Sequence, residues 1–357
     1  MEADYDLIVA GGGPAGSAAA ITAARNGARV LLLEKDRFPR HKVCGEFVSP
    51  ESLRLLSTLV EGEPFQSLPQ LSTARIFVDA KAAMLPVAPP ARSIPRFDLD
   101  LALLSAAKKA AVTVREETTI RQVLPGKLFS VTLETGTVKS KAVVNATGRW
   151  SNLTRYKSAE NEKWIGLKAH FSEAAPPNSV DLYFFPGGYC GVQPVSACAV
   201  NACAMVKAEV ATSLQQVFSL NCALWWRSRD WEQRFTTIST SALYFRTPQT
   251  EDRGMLLAGD SAGFVDPFVG DGISLALHSG VLAAQTLGPF IAGHKSLSEI
   301  HRKYQAEYRR RLAPTLRNAA RLRRLLSAPA WLRSGLIDIA GTRFLGELLV
   351  RSTRARV

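Results

Sequence analysis

Apolar residues recur along this chain in distinct rhythms, and each rhythm predicts a different part of the architecture. The chain opens with an apolar run in DYDLIVAG, breaks on glycines, continues through the small residues of PAGSAAAITAARNG, and turns apolar again in ARVLLLEK. A buried strand, a helix closed by Gly27 and a second strand ending at Glu34 satisfy that pattern, giving a βαβ unit. From Trp164 to Thr247 the rhythm shortens, with IGLKAHF, VDLYFFPGGYCGVQPVS and NACAMVKA alternating with turns as in an antiparallel sheet. SKAVVNATGRWSN reads as a strand ending in Ala146-Thr147-Gly148. RGMLLAGDSAGFVDPFVGDGISLALHSGVLAAQTL reads as a strand, a Gly/Pro-rich loop and a long helix. SIPRFDLDLALLSAAKKA predicts a helix with Phe97, Leu101 and Leu104 on one face. Beyond Gly293 the chain is helical, basic and apolar at once, with Trp331, Leu332, Leu336, Ile339 and Leu345 set among arginines.

The turn inside the βαβ unit carries chemistry. Gly11, Gly13 and Gly16, with Pro14 and Ala15 between them, are spaced as GxGxxG. The first glycine allows the tight turn, the second lets the backbone approach a pyrophosphate, and the third lets helix and strand pack closely. Glu34, 18 residues after Gly16, ends the second strand where a carboxylate accepts both ribose hydroxyls of an adenosine and repels a 2'-phosphate. Lys35 follows it at the same edge. NAD and FAD both satisfy this fingerprint.

Composition narrows the class. With 357 residues, 46% of them hydrophobic, the chain can bury a large core and is expected to form two lobes. Forty-four Lys+Arg against 31 Asp+Glu give a formal charge of +13. Much of that excess lies from His301 onward, so it describes an appendage more than a site and does not call for a nucleic acid. The five cysteines form no CxxC, and the five histidines form no ligand pair with them, so no metal is expected. The acidic opening MEADYD lacks the basic and apolar regions of a secretory leader, and no run is long enough to span a membrane. A cytoplasmic location is expected. The basic C-terminal helices either make peripheral contact with an anionic bilayer or pack on the enzyme as a helical lobe.

The second nucleotide signal lies near the other end. Gly259-Asp260 closes a strand, and the turn from Pro267 to Ile273 brings backbone N–H groups and a helix dipole to an electron-rich ring edge. With this segment on the page, the chain resembles the flavoprotein monooxygenase superfamily that includes p-hydroxybenzoate hydroxylase. Within it, the GDSAGFVDPFVGDGIS segment is most similar to the geranylgeranyl reductase and FixC-like branch. The resemblance spans about Tyr5 to Leu287. It implies an α/β fold: a Rossmann-like FAD-binding domain, an inserted antiparallel β-sheet substrate domain and a C-terminal helical extension. The expected division is 1–75, 96–160 and 251–295 for FAD binding, 76–95 and 161–250 for the substrate, and 296–357 for the helical region.

The same likeness implies roles for particular residues. Asp260 would bind the ribityl or pyrophosphate region of FAD, while Gly270, Asp271, Gly272 and Ile273 would place amides near flavin N1 and O2. Arg96 is a cofactor-side candidate at a helix start. Thr147 stands where related hydroxylases often carry the acid of an Asp-Gly pair, which counts against direct NADPH binding, and Gly148 permits close approach. RFPRHKVCGEFVSPESL sits between two family patterns, and Cys44-Gly45 favours the reductase side. The halogenase Trp-x-Trp-x-Ile-Pro signature is absent, since neither KWIGLKAHF nor ALWWRSRDW matches it. Arg40 is a phosphate contact or an exposed charge, and Cys44 is a reactive neighbour of the flavin or a packed side chain. His41 and Glu46 are the candidates for proton transfer. Tyr183, Phe185, Tyr189 and Gln193 are candidates for lining a pocket, with Tyr189 the preferred polar contact.

The implied activity is that of an FAD oxidoreductase acting on an apolar small molecule. Reduction of a carbon–carbon double bond in an isoprenoid-like substrate leads, hydroxylation of an aromatic or polyketide-like compound follows, and halogenation is third. NAD(P)H, reduced ferredoxin or reduced flavin would serve as electron donor. A non-catalytic alternative is the prenyl-protein escort factor that has lost its flavin; the intact Gly11, Gly13, Gly16, Glu34 and Asp260 argue against it.

Overall fold

The computed structural model describes residues 2–78, 81–149, 153, 163–240, 243, 247–264 and 270–326. The first apolar run forms the strand Tyr5–Ala10, the small-residue run the helix Pro14–Arg25, and the next run the strand Val30–Leu33. Small side chains set how closely that helix packs. A Cβ placed on Gly280, in the long helix Gly272–Ile291, would lie 2.1 Å from the carbonyl oxygen of Ala15, so the two helices cross with their backbones in contact.

Six strands of the first sheet run in the order Glu251–Asp252, Met255–Leu257, Gly136–Asn145, Tyr5–Ala10, Val30–Leu33 and Thr113–Arg115. All neighbours in that row are parallel except the terminal pair Glu251–Asp252 and Met255–Leu257. A hairpin, Ile120–Leu124 with Phe129–Leu133, joins antiparallel to Gly136–Asn145. The carboxyl ends of the parallel strands therefore lie together at one edge, where an open α/β sheet binds its ligands.

The second sheet runs Ile238–Ser239, Trp164–Ser172, Ala199–Lys207, Gly188–Ser196, Ser179–Phe185, Gln70–Val78, Lys81–Ser93 and Phe47–Val48. It is antiparallel except where Ser179–Phe185 pairs in parallel with Gln70–Val78. The strand Gln70–Val78 crosses the expected 75/76 division, and Phe47–Val48 joins this sheet from within the first segment. Two short helices, Leu214–Ser219 and Cys222–Ser228, cover one face, where Leu214, Val217 and Leu224 pack with Phe171, Tyr183 and Val192.

Helix Arg96–Lys109 buries Leu99, Leu103 and Ala107, spaced four apart, together with Leu104. Leu101, expected on the packed face, is 38% exposed, because the buried stripe runs through 99, 103 and 107 instead. Helices Leu297–Arg311 and Ala313–Leu326 follow, with Ile300, Tyr304 and Tyr308 buried and the Tyr304 hydroxyl donating to Leu257 O at 2.8 Å. This part of the basic tail packs on the first sheet. Trp331, Leu332, Leu336, Ile339 and Leu345 lie outside the described residues, as does Pro267. Among the described residues no helix is long and apolar enough to cross a membrane.

Candidate active site

The glycine turn divides its work. A Cβ on Gly16 would lie 1.8 Å from Gly11 O, and one on Gly11, whose φ is +101°, would lie 2.5 Å from Ala146 O. These two glycines let the helix and the strand Gly136–Asn145 close on the turn. Gly13 faces open space, with the Arg96 guanidinium 3.8 Å from its would-be Cβ as the nearest group. As N-cap of Pro14–Arg25 it supplies no side-chain hydrogen bond, so the first amides of that helix are left to a ligand. Glu34, 5% exposed, is held at the strand end by Gly12 N at 2.8 Å and Arg40 Nη2 at 3.1 Å on one oxygen and by Asp36 N at 3.0 Å on the other. An uncapped helix terminus beside a bare glycine, with a fixed carboxylate one strand away, fits the pyrophosphate and ribose of FAD.

These residues open onto a cavity of about 930 Å³ that runs from the first sheet to the inner face of the second. That is near the upper end for small-molecule sites, roughly 1,000 Å³. Gly11, Gly13, Pro14, Ala15, Glu34 and Lys35 line it from the glycine turn and the second strand. Thr147, Gly148, Gly259, Asp260, Gly270, Gly272 and Ile273 line it as well. A Cβ on Gly148, at φ +83°, would meet nothing within 4 Å, so the wall there is bare backbone. Asp260 pairs with Arg149 at 3.4 Å, and the Arg149 guanidinium stacks over Phe264 at 4.2 Å. Gly16 and Asp271 do not line the cavity: Gly16 is packed against Gly11, and Asp271 is buried as N-cap of the long helix.

Two arginines converge on one buried acid. Arg96 donates to both oxygens of Asp100 at 2.7 Å, and Arg40 donates to Asp100 Oδ2 at 2.9 Å and to Glu34. Burial works to lower the Arg96 pKa, but Asp100, with a smaller contribution from Cys44, outweighs it and raises the value. Both cations line the cavity while fixed from behind, so neither is an exposed surface charge.

The loop that follows is held by the second sheet. Asn201 Nδ2 donates to the carbonyl oxygens of Cys44 at 3.1 Å and Gly45 at 3.0 Å. The Cys44 Sγ accepts from Glu46 N at 3.3 Å, and Cys44 and Gly45 both face the cavity. Glu46 itself has φ +63°, a conformation that costs a non-glycine residue about 1–2 kcal/mol. Its carboxylate is fully buried, accepting from Lys168 Nζ and from Arg96 N at 2.8 Å, with His170 Nε2 2.8 Å away. Burial pushes the Glu46 pKa up, but Lys168 and then His170 outweigh it and hold the value below the usual carboxylate range. This corrects one expectation: with every side-chain oxygen engaged, Glu46 is an anchor for the loop and not a free proton carrier.

On the substrate side, strand alternation decides which residues face the cavity. Tyr189 and Gln193 do, Tyr189 within an apolar cluster with Met205, Leu243 and Phe264, and Gln193 donating to Ser93 Oγ at 2.6 Å. Tyr183 and Phe185 do not. They point to the opposite face, where the Tyr183 hydroxyl accepts from Arg227 Nη1 at 3.0 Å under the short helices. Val180 and Leu182, one residue out of phase, take their place.

The family model for FAD dependent oxidoreductases matches residues 6–39, the βαβ unit and its turn. A digeranylgeranylglycerophospholipid reductase of Methanocella arvoryzae is 28% identical over 339 residues, covering 88% of this chain and 86% of that protein. This is an FAD-dependent oxidoreductase. Among solved structures, a geranylgeranyl bacteriochlorophyll reductase-like protein of Thermoplasma acidophilum superposes with a TM-score of 0.78 at 22% identity, covering 98% of this chain and 95% of that one. A flavin-dependent brominase reaches 0.82 at 19% identity, covering 98% and 93%. At such identities the structural likenesses establish the fold alone; the family model and the reductase relative bear out the flavoprotein resemblance read from the motifs.

Four residues of the oxidoreductase's site escaped the motif reading: Asp100, Lys168, His170 and Asn201. Asp100 sits in a helix that looked amphipathic on a different face. Lys168 and His170 are two residues apart in Trp164–Ser172, so both point to one side, and Asn201 is the strand partner of His170. The available signal was a pair of polar residues at strand period inside an apolar run.

Proposed function

We propose that this oxidoreductase saturates carbon–carbon double bonds in an isoprenoid chain carried by a lipid. The observation that carries the reading is the far half of the cavity. Ala74, Ile76, Leu85, Val87, Val180 and Leu182 line it, and among the described residues the second sheet contributes no charged side chain to it. A wall of this kind recognises hydrocarbon by burial, at about 25 cal/mol per Å², and offers nothing to a charged or heavily hydroxylated ligand. The relative named for reduction of a digeranylgeranyl lipid matches this chain along most of its length.

In this reading Gly11, Gly13, Pro14, Ala15, Glu34 and Lys35 hold the adenylate and pyrophosphate, and Thr147, Gly148, Gly259 and Asp260 hold the ribityl segment. The amides of Gly270, Gly272 and Ile273 face the ring edge, where fixed dipoles favour the reduced, anionic form. Bound there, the flavin supplies the two-electron transfer. The chain's own residues orient and exclude: the Cys44–Gly45 backbone, pinned by Asn201, forms the floor, and Tyr189 contributes a polar contact at the junction of floor and apolar wall. NAD(P)H or a reduced ferredoxin or flavin completes the cycle as donor. A substrate of this kind resides in a bilayer, so the cytoplasmic enzyme meets it through peripheral contact.

The test is product mass. The FAD-loaded enzyme, reduced anaerobically with dithionite and given a digeranylgeranyl glycerophospholipid, is expected to return lipid carrying two extra hydrogens per double bond reduced. Unchanged lipid, with oxygen or halogen incorporated into an aromatic substrate once air is admitted, would overturn the reading.

A further inference from the structure

A second, smaller void of about 270 Å³ lies behind the Arg40–Glu46 loop. Its walls include His41, Phe97, His170 and Ala199, and the exposed Asp98 and Arg234 also border it. Among the described residues, His41 alone lines both this void and the main cavity. The ring is held as a partition. It stacks on Phe235 with centroids 4.1 Å apart, packs against Phe97 at 5.0 Å, and meets the His170 ring edge-on at 5.8 Å. Its Nδ1 is buried and has no hydrogen-bond partner among the described residues.

Saturating a double bond adds two electrons and two hydrogens. One hydrogen arrives with the electrons, and the other arrives as a proton from solvent. We propose that the smaller void is the proton inlet of this enzyme and that His41 carries the proton across the partition. The inference rests on the reductive reading of the main cavity. Water in the inlet protonates the ring nitrogen on its side, forming an N–H bond and leaving hydroxide to exchange with bulk. The opposite N–H then breaks toward the main cavity, its proton forming the second C–H bond of the product. A half-turn of the neutral ring then points the new N–H toward the main cavity and the bare nitrogen toward the inlet, ready for the next proton.

The surroundings suit a carrier that rests neutral. Burial, then Lys168 and the His170 ring, lower the His41 pKa from the usual histidine value, and Glu46 alone acts against them. From the helix Arg96–Lys109, Asp98 faces the same void; burial and the Glu46 charge raise its pKa, and His170 opposes them. Arg234 completes the charged groups bordering the void. A depressed imidazolium pKa makes the ring a stronger acid toward a carbon acceptor.

His41→Phe keeps a flat ring between Phe97 and Phe235 and removes both nitrogens. Single-turnover reduction of the lipid by pre-reduced enzyme is expected to slow about 10²–10⁴-fold, the usual range for losing a general acid, with FAD affinity unchanged. In the wild type that rate falls about tenfold per pH unit above the His41 pKa, because the imidazolium fraction does; in the variant this dependence disappears. Imidazole added to His41→Ala restores part of the rate. Ala199→Phe, which fills the inlet and leaves His41 in place, slows turnover as well. Independently of turnover, nitrogen-15 histidine spectra of the FAD-loaded enzyme should show His41 N–H exchange slowed by Ala199→Phe. His41→Phe turning over within about twofold of wild type with the same pH profile overturns the proposal. So does His41 exchange unaffected by Ala199→Phe, the readout that remains if the wild type reduces no isoprenoid and only the reductive reading fails.

Discussion

Glu46 and Lys168, 122 positions apart in sequence, form a salt bridge in which neither side chain has any solvent exposure. The carboxylate rises from the loop beside the cofactor end of the cavity, and the ammonium rises from the strand Trp164–Ser172 of the second sheet. Two buried charges tolerate each other only while paired. The loop that carries Cys44 and Gly45 is thereby fixed to the sheet that forms the substrate wall.

Lys168→Met leaves the Glu46 charge buried without its ammonium partner, and is expected to cost about 3–5 kcal/mol in urea unfolding. Glu46→Gln combined with Lys168→Met recovers most of that loss, because no uncompensated charge remains. Additive losses in the double variant would show that the two residues act separately.

The glycines of the turn separate folding from binding. Gly16→Ala forces a Cβ to within 1.8 Å of Gly11 O and should prevent folding of the first sheet unit. Gly13→Ala has room, with 3.8 Å to the nearest group, so it should fold with a nearly unchanged melting temperature while losing at least about tenfold in FAD affinity. Thermal unfolding and flavin fluorescence titration check the pair.

His278 carries an acid-sensitive contribution to stability. Burial lowers its pKa from 6.5 to about 4, against a small opposing effect of Glu51. The unfolded chain therefore binds a proton before the folded one does, so stability is full above about pH 6.5 and declines as pH falls toward 4. The decline amounts to roughly 3 kcal/mol, following about 1.4 kcal/mol per pKa unit. His278→Leu should flatten the stability profile between those pH values, as measured by denaturant midpoints.

Strand phase gives a prediction for the substrate. Leu182→Trp fills the apolar wall and should raise KM for a geranylgeranyl lipid at least about tenfold while sparing a shorter prenyl chain, since one blocked segment of hydrocarbon contact is worth a few kcal/mol. Tyr183→Phe, next along the same strand but on the opposite face, should lower stability and leave KM unchanged. Steady-state kinetics with the two chain lengths separates these outcomes.

Local signals made the nucleotide end legible. Gly11, Gly16 and Gly259 sit where backbone geometry restricts residue type, Gly13, Glu34 and Asp260 stand at short, fixed spacings from them, and such patterns are written into short motifs. The long apolar and small-residue runs made the first sheet legible for the same reason, because burial on both faces leaves few choices. Phase was harder to read. Tyr183, Phe185 and Leu101 were expected on faces that the fold turns away, since which side of a strand or helix meets the ligand depends on partners far along the chain. The electrostatics of Glu46 were hidden for the related reason that Lys168 and His170 reach its carboxylate from the strand Trp164–Ser172, which pairs with the strand Ala199–Lys207 whose Asn201 holds the neighbouring Cys44 and Gly45 carbonyls.

The most direct measurement of the central claim is the fate of the reduced flavin without oxygen. Mixed anaerobically with a geranylgeranyl lipid, the reduced enzyme should regain its oxidised-flavin absorbance as the lipid is saturated, at a rate that rises with lipid concentration. A flavin that stays reduced with lipid alone and reoxidises only when oxygen is admitted would contradict the account.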